Sequence, residues 1–128
     1  MLAVALIAVL ASCKKDEDPR EPPDLEFKTG GSYTSADATV GQGDSILVGI
    51  EATKTEDELQ NFNVSYAYDG ATTTTTYLND PLTGAEEEFY ETDVTFVTRN
   101  QAGTEKWSFT ITDRDGNITT KAITLTVQ

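Results

Sequence analysis

The chain has no histidine and a single cysteine, and its nine Lys and Arg face 22 Asp and Glu over 128 residues. Each scarcity closes a class of function. Without histidine there is no Ser-His-Asp relay and no imidazole-ligated metal. With one cysteine no internal disulfide forms, so the folded part is held by packing alone. A formal charge of −13 repels phosphate backbones and anionic lipid, which excludes nucleic acid as a partner. The longest apolar run, "MLAVALIAVLAS" at 1–12, falls short of the roughly 20 residues that cross a hydrocarbon core.

That run has instead the length and composition of the apolar stretch of a secretory signal, with small residues where a peptidase cuts. It stops at Cys13, and Lys14, Lys15, Asp16, Glu17 and Asp18 follow at once. A lone thiol between an apolar and a charged run is poorly placed for a core. Leu10-Ala11-Ser12-Cys13 resembles the lipobox of bacterial lipoproteins, which is Leu, two small residues and Cys. The resemblance implies that residues 1–12 are a cleaved signal peptide and that Cys13 is acylated (palmitate-type chains). Each acyl chain contributes about 0.8 kcal/mol per buried CH2, so several together anchor a protein stably. Lys14 to Asp18 is similar to the export signal of Bacteroidota surface lipoproteins, which implies an outer-membrane anchor and display at the cell surface. A generic solvated tether is the competing reading of those five residues.

Residues 13–24 read as the lipidated Cys and a charged, Pro-rich tether; three of the four prolines fall at 19, 22 and 23. The domain is expected over 25–128. From residue 29 onward five Lys and Arg meet sixteen Asp and Glu, hence −11 for the domain.

Short runs rich in Thr, Val, Ile, Tyr and Phe alternate with Gly, Asp and Asn, and no segment has a helical period. In 45–53, Ile46, Val48, Ile50 and Ala52 fall on one parity, as a half-buried strand requires. In 61–69, Phe62, Val64, Tyr66 and Tyr68 do the same. "ATTTTTY" at 71–77 reads as an edge strand, 79–88 as a loop with a helical turn at its Glu triplet, and 89–98 as a strand with Val94 and Phe96 inward. The strongest pattern is the hairpin of 105–127: Trp107, Phe109 and Ile111 go out, and Ile123, Leu125 and Val127 return around an Asp/Gly/Asn-rich turn. Lys121 falls on the inward parity, so a bulge or an exposed first half is expected there. The fold class follows as all-β, an antiparallel two-sheet sandwich of about seven strands. Residues 40–53 and 105–127 resemble the matching strands of bacterial Ig-like and PKD-like domains, which implies an immunoglobulin-like sandwich. That fold hosts many functions, so none is inherited from it.

Sites are sparse. Asp113, Asp115 and Asn117 invite a calcium reading, but the EF-hand spacing fails, and turn chemistry explains the same residues. An irregular site borrowing Asp69 or Asp93 is the remaining form of that reading; no cofactor is expected otherwise. Glu86, Glu87, Glu88, Glu91 and Asp93 read as solvated charge or as a docking patch for a basic partner. For sugar stacking, Trp107, Tyr66 and Tyr68 belong to the core face, which leaves Tyr77 and Tyr90 as candidate ligand contacts. Asp44-Ser45-Ile46 resembles the O-glycosylation motif of Bacteroidota exported proteins, which implies Ser45 as a modification site. The expectation is a non-catalytic, lipid-anchored binding or accessory module of the cell surface, with a protein or glycan partner. The rival is a structural spacer or adhesin-type domain with no small-molecule site, and a minimal carboxylate hydrolase is the third reading.

Overall fold

The hairpin that the alternation marks most clearly forms the centre of the larger sheet. A computed structural model describes residues 20–128, so the expectations for 1–12, Cys13 and Lys14 to Asp18 lie outside the described residues. In β7 (Gly103–Asp113) every second side chain from Glu105 to Asp113 is buried, and in β8 (Ile118–Val127) so are Ile123, Leu125 and Val127. Trp107 pairs with Ile123 and Phe109 with Lys121, in one unbroken antiparallel register. No bulge rescues Lys121. The first half of β8 is exposed instead, and Lys121 opens into a trough beside Pro22, Pro23 and Leu25.

On the other side of β7 lies β4 (Leu59–Tyr68), and outside that β5 (Thr75–Pro81). β2 (Ala38–Val40) completes this sheet by pairing parallel with the end of β8, so its order is β2-β8-β7-β4-β5. The second sheet is β1-β3-β6, made of β1 (Asp24–Phe27), β3 (Ser45–Thr53) and β6 (Phe89–Val97), all antiparallel. Period-2 burial places Ile46, Val48, Ile50 and Ala52 of β3, with Val94 and Phe96 of β6, against Phe62, Val64, Trp107, Phe109 and Ile111. The result is a two-sheet β-sandwich, as the alternation predicts, of the immunoglobulin-like kind that the resemblance implies, with eight strands among the described residues and one parallel pairing.

Two boundaries and one strand differ from the sequence reading. The folded part begins before residue 25, because Pro23 is fully buried and its carbonyl accepts the Thr119 hydroxyl. The edge strand is Thr75–Pro81 rather than 71–77, since Asp69 and Gly70 take positive φ and the chain is still turning until 74. β2 was not foreseen; three residues are too few to show a period. The helical turn does form, at Gly84–Glu87.

Candidate binding face

The two candidate tyrosines part company. Tyr77 leaves 46% of its surface exposed, but its hydroxyl donates to the Thr95 carbonyl at 2.7 Å. Its ring packs edge-on against Trp107 and Phe96, with centroids 5.2 and 6.3 Å away, and so ties the edge of one sheet to the other. Tyr90 is only 8% exposed, which corrects its placing as a ligand contact. Inward parity on β6 sets it against Phe62, and its hydroxyl donates to Asp80 at 3.3 Å. Burial raises its pKa.

Tyr66 and Tyr68, read as core, form a ladder that ends half-buried. Arg99 lies 4.0 Å above Tyr68; Tyr68 and Tyr66, Tyr66 and Trp107, and Trp107 and Phe96 then follow at 4.9, 4.9 and 3.5 Å. Each ring of the ladder is flanked by neighbours, so little π-face is left for a pyranose.

Beneath this ladder runs a polar network that the sequence did not announce. Glu105 occupies an inward position of β7 and is wholly buried. Its Oε1 accepts Trp107 Nε1–H at 3.1 Å, and its Oε2 accepts the Arg99 backbone N–H at 2.9 Å and Nε–H at 3.4 Å. Arg99 then grips Asp69 with both terminal nitrogens, at 3.0 and 3.1 Å. These bonds, with a third from the Thr104 N–H, hold the Asp69 carboxyl below its ordinary range, and Asp69 raises Arg99 in turn. Period 2 puts Glu105 on the parity of Trp107, and what pairs it there, Arg99, lies in the loop before β7 and leaves no local pattern.

The other candidates are engaged in local structure. Both oxygens of buried Asp113 accept N–H groups, from Asp115 and Asn117 at 2.9–3.0 Å, which is turn chemistry. Among the described residues no three acidic or cysteine side chains converge as metal ligands would. The acidic patch of 86–93 is divided among separate duties. Glu86 and Glu87 accept the Thr83 and Gly84 N–H groups at the helical turn, Glu88 pairs with Lys54, and Glu91 and Asp93 pair with Lys28. Glu87 also meets Arg114. Ser45 is exposed at the first position of β3, while Asp44 beside it accepts the Gly41 N–H.

What the fold assembles is a division of charge. The outer face of the three-stranded sheet carries the cross-strand row Glu26–Glu51–Glu91, with Asp93 next to it. Across β5, β4, β7 and β8 the outer face of the five-stranded sheet carries no carboxylate; Asp37 stands at its β2 margin, where its Oδ1 accepts the Thr124 N–H at 2.8 Å. The rows of that face run Pro81–Asn61–Thr112–Ile118, then Asn79–Asn63–Thr110–Thr120, then Thr76–Ser65–Ser108–Ala122, then Ala67–Lys106–Thr124. Neighbours on it are bonded to one another: Asn61 and Asn63 both donate to Asn79, and the Thr110 and Thr120 hydroxyls lie 2.9 Å apart. Ile118 stands 59% exposed at one corner. Polar positions on a strand ordinarily read as solvent-facing; only pairing these four strands shows that they are neutral together.

No protein-family model matches the chain, and no curated protein does. Among solved structures the chain is similar to a family 123 glycoside hydrolase from Clostridium perfringens, at 8% identity and a TM-score of 0.52, over 84% of this chain and 27% of that one. A chitin binding domain from Burkholderia pseudomallei gives 16% identity and a TM-score of 0.48, over 73% of this chain and 58% of that one. Murine CRIg gives 12% and 0.44, over 84% of this chain and 99% of that one. The chain thus spans less than two thirds of the first two. Likeness at such identities is one of fold alone.

Proposed function

We propose that the chain is a non-catalytic binding module, anchored to the outer membrane by acyl chains on Cys13 and displayed at the cell surface, whose partner is a protein. The observation that carries the binding role is an outer face with no carboxylate on four adjacent strands, in a chain of charge −13. A spacer has no use for segregated charge, whereas a docking face must not repel what it meets. The partner is a protein rather than a glycan because Tyr90 is buried and the ladder's rings pack against one another. The buried carboxylates of Glu105 and Asp113 are held by N–H donors rather than presented in a cleft, which supports a role without catalysis. The lipobox-like Leu10–Cys13 and the following Lys-then-acid run support the address.

Mass spectrometry of the native product tests the anchor: a triacylated or diacylated N-terminus at Cys13 is expected, and Cys13→Ser releases the chain from membranes. An intact, unmodified Met1 end overturns the anchor. For the binding role, a photoreactive side chain at Thr120 cross-links a protein on intact cells, while one at Glu51 does not. Equal labelling from both positions removes the face.

A further inference from the structure

We propose that the neutral face on β5, β4, β7 and β8 pairs with a second copy of the chain in a two-fold, face-to-face contact. This deepens the reading above by naming the partner. Two-fold pairing requires a surface that complements itself. Hydroxyls and side-chain amides both donate and accept, so a field of Thr, Ser and Asn can bond to its own copy, which a field of one charge cannot. Over β5, β4, β7 and β8 the face holds one charged side chain, Lys106, which makes no ion pair among the described residues, and Asp37 lies at its β2 margin. The other two-fold approach, through the three-stranded sheets, sets acid against acid, since that face offers Glu26, Glu51, Glu91 and Asp93. The neutral face is where that repulsion is least.

Its size also suits. Four strands about 4.8 Å apart, with roughly 25–30 Å of strand length, give about 500–600 Å2. A specific complex buries about 800 Å2 on each partner, so the contact belongs to the smaller, concentration-dependent class. Exposed Ile118 and the methyl groups of Thr110, Thr112, Thr120 and Ala122 supply its apolar part, and the bonded pairs Thr110–Thr120 and Asn63–Asn79 hold the polar part in place beforehand.

The test is sedimentation equilibrium of the full chain in density-matched detergent. A monomer–dimer equilibrium is expected, and it tightens when salt rises from about 0.05 to 0.5 M, because screening removes repulsion between two acidic bodies. Thr110→Glu and Ala122→Glu each set carboxylates against the facing copy and weaken the dimer by about tenfold or more. Glu51→Gln, on the opposite face, leaves it unchanged. Thermal unfolding of each variant establishes that it is folded, and Ala122, at an exposed position, keeps the test available if Thr110→Glu is not. A chain that stays monomeric up to about 1 mM overturns the proposal. So does a dimer indifferent to both Glu variants. A monomeric chain that still cross-links another protein through Thr120 ends this inference and leaves the docking role standing.

Discussion

Glu105 and Trp107 sit two residues apart on one face of β7, and the indole N–H of Trp107 donates to Glu105 Oε1 at 3.1 Å. The other oxygen holds the backbone and guanidinium of Arg99. One buried carboxylate therefore fixes the indole that stacks on Phe96 of the opposite sheet and the loop that carries Arg99. Burying a charge is tolerated only because its oxygens are bonded. Glu105→Ala strands Arg99 and the indole N–H together, and a loss of about 3–5 kcal/mol is expected in urea unfolding. Glu105→Gln keeps an acceptor for Trp107 and loses less. Equal losses would mean that shape, not charge, is what the site requires.

Asp69 makes the acid limb of stability. Arg99 and the Thr104 N–H hold its folded pKa below the unfolded value. The unfolded chain thus binds the proton more readily, and stability rises with pH across that interval. The contribution is complete above the ordinary carboxylate range and is lost as pH falls through the lowered native value. Melting temperature measured from neutral pH downward should fall less steeply for Asp69→Asn than for the native chain over that window. Parallel curves would show that Asp69 is not a source of the acid limb.

Gly103 explains why this corner tolerates no side chain. Its φ is +152°, and a Cβ there would come within 2.2 Å of Asp69 Oδ1 and 2.9 Å of Arg99 Nη2. Gly103→Ala must displace the Asp69–Arg99 bridge as well as adopt a backbone that L residues avoid. A cost of about 1–3 kcal/mol is expected. Combined with Asp69→Asn, Gly103→Ala should cost less than the two single changes added together, because both break the same bridge. Simple additivity would separate the strain from the bridge.

How far the sequence reveals this molecule depends on the range of each interaction. Ile46 to Ala52, Phe62 to Tyr66 and Trp107 to Ile111 show their buried faces by period alone, because alternation is local. β2 and the Arg99–Glu105 contact do not, because they are set by chain returns that leave no local period. The same holds for the neutral face: Asn63, Thr110 and Thr120 are unremarkable apart and become a row only when β4, β7 and β8 pair. Tyr90 was misplaced for a related reason. Its neighbour Phe89 is the exposed ring, at the same end of β6 but of opposite parity, and the loop before it hides where the strand begins.

Glu51 offers a test of the opposite face. It lies between Glu26 and Glu91 in directly paired positions of three adjacent strands. Like charges set opposite one another across strands destabilise a sheet, and Lys28 reaches Glu91 at 3.5 Å without reaching the middle of the row. Glu51→Thr removes the central charge and supplies a β-branched side chain at an exposed strand position, so a gain of about 0.5–1 kcal/mol is expected. Added salt should stabilise the native chain more than Glu51→Thr, since screening and substitution remove the same repulsion. If the variant is no more stable at low salt, the row is relaxed by side chains that swing apart, and charge segregation then costs the fold nothing.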